Sequence, residues 1–250
     1  MAGLEQNLRA VRSRIADAAR AAGREPGSVA LLAVSKTWPV ADVRVLAGLG
    51  QHDFGENRAQ ELLTKAAELD DAPAPVRWHF IGQLQRNKAA AVARLGAVVH
   101  SVDRVSLAET LSRAGEGSGR EVDVLLQVDL GGPEGELGAR GGADPADLPG
   151  LADAVAELPG VRLRGLMAVA PREEEPGPAF ARLAALAARV RADHPEAGEI
   201  SAGMSGDLEE AVAAGATIVR VGTALFGRRP LTSPPDTGVT SVTRASGAPG

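Results

Sequence analysis

The stretch Ala30 to Pro39, Ala-Leu-Leu-Ala-Val-Ser-Lys-Thr-Trp-Pro, contains the clearest signal for the fold of this chain. Its four consecutive apolar residues, Leu31 to Val34, are followed by polar residues and a proline. This pattern is typical of a strand that is buried on both faces of a parallel sheet. Lys36 lies at the carboxyl end of that strand, where a barrel or sheet would present it at its mouth.

Lys36 has two interpretations. A lysine that loses hydration at the mouth of a barrel gives up its proton more readily than a surface lysine, which makes it a candidate Schiff-base nucleophile. The simpler interpretation is a solvated lysine that closes a strand, and Lys36 taken alone favours it. The choice depends on what the rest of the chain places nearby.

Short apolar runs alternate with helical segments along the chain. An amphipathic helix with Leu4, Leu8, Val11 and Ile15 on one face precedes the first strand and ends at Gly23. No hairpin signal such as Asn-Gly joins two strands, so the sheet is predicted to be parallel. The eight predicted strands are 31–34, a short run ending at 54, 76–81, 98–102, 122–130, 163–169, 199–202 and 218–222.

A chain of 250 residues and 25.5 kDa has the usual length of a (β/α)8 barrel. We therefore predict an α/β fold: one TIM barrel over residues 1–229 with an extra N-terminal helix. A doubly wound open sheet is the fallback, but no Gly-x-Gly-x-x-Gly follows the first strand, which disfavours a dinucleotide fold. Residues 230–250, rich in Ser, Thr, Pro and Gly, are predicted to form a flexible tail.

Local signals predict two helix boundaries. Asp103 is expected to cap a helix that ends at the glycine-containing stretch 115–119. Asp144 and Pro145 are expected to start the helix after strand five. The glycine-rich segment 131–142 is predicted to be the loop before that helix.

Composition excludes several kinds of function. The net charge of −5 without a basic block argues against a nucleic acid or a membrane as the partner. The chain has no Cys and its four histidines lack ligand spacing, so no disulfide or metal site is expected. The N-terminal residues do not form a signal peptide or membrane span, so a cytoplasmic protein is expected. Tyr is also absent, which removes the phenol as an acid or base.

Two loops at predicted strand ends resemble phosphate-binding loops in composition. Ser201 to Asp207 contains small residues and two glycines and leads into a helix, and Gly222 to Gly227 follows strand eight. Ordinary glycine turns, with Asp207 as a helix cap, would explain either loop separately. Because barrels commonly bind phosphate with the loops after strands seven and eight, a phosphate site is favoured.

Arg220 lies within predicted strand eight, between apolar neighbours. In a barrel strand its side chain faces either the interior or the helix layer, and in both places a buried cation needs a partner. Facing inward, it can meet a ring nitrogen or a carboxylate; facing the helices, it would pair with an acidic side chain. A lysine imine, a phosphate site and an arginine beside a heterocycle together describe one cofactor, pyridoxal 5′-phosphate (PLP).

Seven runs of this sequence, spread over residues 1 to about 229, resemble the YggS/PROSC family of pyridoxal phosphate homeostasis proteins. The most unusual of the shared runs is Trp78 to Lys88, Trp-His-Phe-Ile-Gly-Gln-Leu-Gln-Arg-Asn-Lys. The other shared runs are 31–37, 54–61, 100–103, 165–167, 201–207 and 219–227.

The resemblance implies a monomeric barrel similar to the N-terminal domain of alanine racemase. It implies that PLP is bound as an imine at Lys36, with Arg220 at the pyridine nitrogen and Ser205, Gly222 and Thr223 at the phosphate. The full set of cofactor-binding residues that it implies is Lys36, Asn57, His79, Met204, Ser205, Arg220, Gly222 and Thr223. No catalytic residue and no metal ligand is implied.

Three members of this set also have structural explanations. Asn57 can cap a helix, His79 can be a hydrogen-bonded strand histidine, and Met204 can be a core residue. One loop departs from the family pattern, because Glu134 is not followed within a few residues by a lysine, and Arg140 is the nearest substitute.

The resemblance implies a function in intracellular PLP homeostasis, by buffering the cofactor or delivering it to apo forms of PLP-dependent enzymes, without turnover. The alternative is a PLP-dependent amino-acid racemase with weak activity, which needs one base on each face of the substrate. Lys36 can serve one face. Alanine racemase uses a tyrosine from a partner subunit on the other face, and in this chain, which has no tyrosine, His79 would have to replace it. A third hypothesis is a Schiff-base aldolase for a sugar phosphate, which would use the same lysine without PLP.

Overall fold

The computed structural model describes residues 2–70, 74–131 and 141–227. The predicted tail 230–250 and most of the predicted loop 131–142, with Glu134 and Arg140, lie outside the described residues. Eight parallel strands pair in chain order and the last pairs with the first, which closes the barrel and confirms the predicted fold. The strands are β1 (Ala30–Val34), β2 (Asp53–Glu56), β3 (Arg77–Phe80), β4 (Val98–Val102), β5 (Val122–Gln127), β6 (Val161–Met167), β7 (Glu199–Ser201) and β8 (Ile218–Val221).

Helices follow the strands and surround the barrel. The N-terminal helix α1 confirms the predicted extra helix, and the four-residue α9 was not predicted as a helix. No helix in the described part of the chain is both long enough and apolar enough to cross a membrane. The helices are α1 (Ala2–Ala21), α2 (Val40–Gly48), α3 (Ala59–Glu68), α4 (Arg86–Arg94), α5 (Val105–Ser118), α6 (Leu148–Ala156), α7 (Pro176–Asp193), α8 (Leu208–Ala213) and α9 (Thr223–Phe226).

The two faces of the barrel strands differ in chemistry. Side chains such as Phe54, Trp78 and Val124 belong to one large apolar cluster with the buried faces of the helices. A separate small cluster of three residues, Val98, Leu125 and Met167, lies at the alternate strand positions that face inward. The interior also holds buried polar side chains, which include His79, His100, Ser201 and Arg220.

The predicted start of α5 is wrong, whereas its predicted end within the stretch 115–119 is confirmed. The helix begins at Val105 with Arg104 at the N-cap, and the Asp103 carboxylate pairs with the Arg104 side chain instead of capping the helix. The helix ends at Ser118, with Gly119 at the C-cap in the left-handed region at a φ of 66°. A Cβ atom on Gly115 would lie 2.2 Å from the Gly160 carbonyl oxygen, so this glycine allows close packing and does not end the helix.

The predicted start of the helix after β5 is also wrong. Asp144 Oδ1 accepts a hydrogen bond from the Ala146 N–H at 2.8 Å, which makes a turn, and α6 begins only at Leu148. The aspartate side chain therefore stabilises a local turn ahead of the helix, a use of Asp that competes with capping.

Candidate functional site

Six of the predicted site residues lie at one opening of the barrel. Strands β7, β8, β1 and β2 are neighbours and parallel, so their carboxyl ends meet at the same rim. Lys36 follows β1, Asn57 follows β2, Met204 and Ser205 follow β7, and Gly222 and Thr223 follow β8. The structure thus places these six residues around one opening.

Contacts between the loops show how close these strand ends lie. Trp38, two residues after Lys36, stacks on Phe226 of α9 with 5.6 Å between the ring centroids. A Cβ atom on Gly222 would lie 3.3 Å from the Val34 carbonyl oxygen at the end of β1. The turn that contains Lys36 therefore packs directly against the loop of Gly222.

Lys36 itself is exposed, which corrects the expectation that the barrel mouth removes it from water. Strand β1 ends at Val34, so the lysine projects from the turn beyond the packed strand. The preceding residue is fully buried: the Ser35 N–H donates to the Gly55 carbonyl at 3.1 Å, and the Trp38 N–H donates to the Ser35 carbonyl at 3.0 Å. The backbone at Lys36 is fixed while its amine is accessible.

A buried ionic cluster lies under this turn. Lys65 Nζ donates to the Ser35 carbonyl at 2.7 Å, to Glu56 Oε1 at 2.7 Å and to Glu61 Oε1 at 2.8 Å. The Ser35 hydroxyl also donates to Glu56 Oε1, at 2.7 Å. We call these four residues the Lys65 cluster. Burial raises the pKa of Glu56, and the hydrogen bonds from Lys65 and Ser35 offset that effect only in part.

Thr37, directly after Lys36, has an unusual backbone conformation. Among the described residues it is the only non-glycine residue with a positive φ, at 67°. A β-branched residue in this region is strained by about 1–3 kcal/mol. Its N–H donates to Glu61 Oε1 at 2.5 Å, so the Lys65 cluster holds the strained turn that presents Lys36.

The two predicted phosphate loops are joined to each other. The Ala224 N–H donates to the Ser205 hydroxyl oxygen at 3.4 Å, which links the loop after β7 to α9. Among the described residues, the backbone N–H groups of Ser205, Gly206, Gly222 and Thr223 have no hydrogen-bond acceptor. Since α8 has six residues and α9 has four, these individual N–H groups matter more than a helix dipole.

Helix α1 braces both of these loops from outside the barrel. Arg14 donates to the Ser205 carbonyl at 2.8 Å and pairs with Glu209 of α8 through both oxygens, each at 2.5 Å. Asn7 Nδ2 donates to the Leu225 carbonyl in α9 at 2.9 Å. The N-terminal helix therefore fixes the loop of Ser205 and the helix that follows Gly222.

Arg220 faces the barrel interior, which decides between the two orientations that the sequence left open. Only 5% of its surface is exposed, and it donates to the Ser201 carbonyl at 2.6 Å, the Ser201 hydroxyl at 2.9 Å and the Ala168 carbonyl at 2.8 Å. These acceptors lie at the carboxyl ends of β7 and β6. Burial lowers the pKa of Arg220 to about 10, with Asp207 acting in the opposite direction, so it stays a cation at neutral pH.

The structure places Asn57, Met204 and His79 in three different settings. The Asn57 Oδ1 atom is buried and has no hydrogen-bond partner, which marks it as available to a ligand. Met204 is 40% exposed, so it is not a core residue. His79 lies inside the barrel and lines a cavity with residues from the amino ends of the strands, such as Asp53 and Asp123. It is therefore not grouped with Lys36 at the carboxyl opening.

Sequence reasoning missed the residues that support the site. Glu61 and Lys65 are spaced i, i+4 on one helix, which is a visible but common pattern. No sequence pattern indicated the role of Arg14, because its partners Ser205 and Glu209 are 191 and 195 residues away in the chain. His100 was visible as a polar residue inside an apolar strand, the same signal that drew attention to Arg220.

Replacing Lys65 by methionine should destabilise the protein by about 3–5 kcal/mol, because the fully buried Glu56 carboxylate loses its counter-ion. Urea denaturation measures this loss. The double variant Glu56→Gln, Lys65→Met should recover at least about half of it, since no buried charge is then left unpaired. Equal stability of the single and double variants would contradict the role of Lys65 as the partner of Glu56.

The chain matches known proteins over most of its length. The family model described as "Alanine racemase, N-terminal domain" matches residues 6–230. The Pyridoxal phosphate homeostasis protein of Pseudomonas aeruginosa is 45% identical over 234 residues, covering 94% of this chain and 99% of that protein. The protein of the same name from Escherichia coli is 40% identical, covering 92% of this chain and 98% of its own.

Solved structures give the same result. PipY of Synechococcus elongatus, solved with PLP bound, is 40% identical, with a TM-score of 0.78 over 90% of this chain and 100% of PipY. Alanine racemase from Corynebacterium glutamicum is 19% identical, with a TM-score of 0.64 over 92% of this chain and 62% of that chain, and shares the fold. The chain therefore belongs to the family of pyridoxal phosphate homeostasis proteins, built on the barrel of the alanine racemase N-terminal domain.

Proposed function

We propose that this protein binds PLP at the carboxyl opening of the barrel, holds it covalently on Lys36 Nζ, and takes part in PLP homeostasis without catalytic turnover. The observation that carries this proposal is the meeting of an accessible lysine, two linked loops with unused backbone N–H groups and a buried guanidinium at adjacent strand ends. The names of the curated relatives and the PLP-bound PipY structure support it.

The residues present fit the chemical groups of this cofactor. The amine of Lys36 is exposed and can condense with an aldehyde to form an imine, releasing water. The backbone N–H groups around Ser205 and Gly222 suit a phosphate dianion, and the unpartnered Asn57 Oδ1 suits a hydroxyl donor on the ring. When bound, PLP supplies an electrophilic carbon and a pyridine ring that withdraws electrons.

The charge of Arg220 and its proposed place beside the pyridine nitrogen support a PLP carrier over an enzyme. A guanidinium that stays charged beside the pyridine nitrogen disfavours protonation of that nitrogen, which weakens the ring as an electron sink. This effect supports binding of the aldehyde more than chemistry on an amino acid.

The racemase alternative needs a second base opposite Lys36. The sequence contains no tyrosine, and His79 is 2.9 Å from both Asp53 Oδ1 and His100 Nε2, so both of its ring nitrogens are occupied. These contacts support a structural role for His79 and weigh against its service as the second base. A monomeric state, delivery of PLP to apo-enzymes and a cytoplasmic location stay predictions.

Replacing Lys36 by alanine should abolish the visible absorption that the protein acquires on incubation with PLP, because the imine needs that amine. The chain has three lysines, Lys36, Lys65 and Lys88, and Lys88 is exposed on α4, so Lys88→Ala is the matched control. Absorption spectra of the dialysed proteins give the answer. Retained colour in Lys36→Ala would refute the assignment, and a colourless wild type would favour the aldolase hypothesis.

Replacing Arg14 by glutamine should weaken binding of PLP about fivefold, as expected for the loss of about 1 kcal/mol of charge-assisted hydrogen bonding to the Ser205 loop. Binding of pyridoxal, which lacks the phosphate, should not change, because the loop contacts only the phosphate. Fluorescence titration of the variant and the wild type with each ligand measures the ratio of their Kd values. Arg20→Gln on the exposed face of α1 is the control, and equal losses for both ligands would rule out a phosphate-specific role.

The PLP-loaded protein should not remove α-deuterium from alanine faster than free PLP does at the same concentration, because the site lacks a second base. Proton NMR of deuterated L- and D-alanine measures the exchange. Clear turnover that disappears in Lys36→Ala would replace the carrier proposal with the racemase alternative.

A further inference from the structure

A chain of hydrogen bonds crosses the interior of the barrel. Arg220 donates to the Ser201 hydroxyl at 2.9 Å, and that hydroxyl lies 3.0 Å from His100 Nδ1. His100 Nε2 lies 2.9 Å from His79 Nδ1, and His79 Nε2 lies 2.9 Å from Asp53 Oδ1. We call these five residues the interior chain.

The interior chain has a direction that the Asp53 carboxylate sets. A carboxylate only accepts, so a neutral His79 carries its proton on Nε2 and accepts at Nδ1 from the Nε2–H of His100. His100 Nδ1 then accepts from the Ser201 O–H, and the Ser201 oxygen accepts from the Arg220 guanidinium. Every contact is satisfied with both imidazoles neutral.

The charges along the interior chain agree with this direction. Burial lowers the pKa of His100 well below its usual value, and the neighbouring His79 and Arg220 act the same way. Burial alone would raise the pKa of Asp53, but hydrogen bonds from His79 and Arg77 outweigh burial and hold it well below its usual range. The two imidazoles therefore connect a buried cation to a carboxylate, and burial keeps His100 neutral.

The two ends of the interior chain lie at opposite openings of the barrel. Arg220 is bonded to residues at the carboxyl ends of β6 and β7, where the cofactor is proposed to bind. Asp53 is the first residue of β2 and lines the cavity at the amino ends of the strands. A carboxylate at the far opening is thus in hydrogen-bonded contact, through three side chains, with the guanidinium at the site.

We infer that Asp53, His79, His100 and Ser201 are positioning residues that hold and orient the Arg220 guanidinium for the cofactor ring. The Ser201 oxygen fixes one guanidinium nitrogen, and the neutral imidazoles keep the serine hydrogen turned away from Arg220. The effect on the cofactor rests on the function proposed above, whereas the interior chain itself does not.

Nitrogen NMR of cofactor-free protein, with nitrogen-15 in the rings of its four histidines, tests the interior chain directly. Near neutral pH, His79 and His100 should both be neutral with the proton on Nε2. In Asp53→Ala, His79 should become a mixture of tautomers, and Asp53→Asn should restore the wild-type tautomer because the amide oxygen still accepts. Asp123→Ala, which removes a carboxylate that lines the same cavity and pairs with Arg162, should change neither ring. A proton on His100 Nδ1, or an unchanged His79 in Asp53→Ala, would overturn the inference.

Binding of PLP tests the positioning role. Ser201→Ala should raise the Kd for PLP about tenfold, whereas Ser112→Ala, a buried serine that donates to the Pro159 carbonyl outside the barrel interior, should not. Unchanged binding by Ser201→Ala would overturn the positioning role. Failure of the wild-type protein to bind PLP would instead overturn the proposed function and this positioning role together. The tautomers of His79 and His100 would still decide whether the interior chain of hydrogen bonds exists.

Discussion

Burial of the Arg220 guanidinium inside the barrel is the constraint on which the rest of the structure depends. A buried cation is tolerated only where its N–H groups find acceptors. Here the acceptors are main-chain oxygens at the ends of β6 and β7 and the Ser201 hydroxyl. The same requirement explains the polar interior, where a small apolar cluster shares the space with two histidines and a serine, in place of the usual layers of branched side chains.

The proposed site is built on turns, and each turn has its own support outside the barrel interior. The Lys65 cluster holds the strained turn after β1 from the side of α3, and α1 holds the loops after β7 and β8. Both supports join segments that are distant in the chain, so the positions of Lys36 and Ser205 depend on the completed fold. An exposed amine on a fixed turn, at the same rim as fixed N–H groups, suits reversible capture of an aldehyde that carries a phosphate.

Sequence patterns were sufficient for the barrel and for the ring of residues at its carboxyl opening. Apolar runs such as Leu31 to Val34 determine where strands form, and the order of strands in a parallel barrel then determines which loops meet. The patterns failed where a side chain has a use that only the folded structure reveals. Asp103 pairs with its neighbour instead of capping, Asp144 stabilises a turn instead of starting a helix, and Lys36 is exposed because β1 stops at Val34. The Lys65 cluster and the interior chain depend on contacts between distant strands and helices, which local periodicity does not encode.

Borohydride reduction of the PLP-loaded protein, followed by tryptic digestion and mass spectrometry, tests the central claim most directly. Reduction turns the imine into a stable secondary amine, and trypsin does not cleave after a modified lysine. The account predicts the cofactor mass on the peptide Glu25–Arg44, uncleaved at Lys36. An adduct on a peptide that contains Lys65 or Lys88, or no adduct at all, would contradict it.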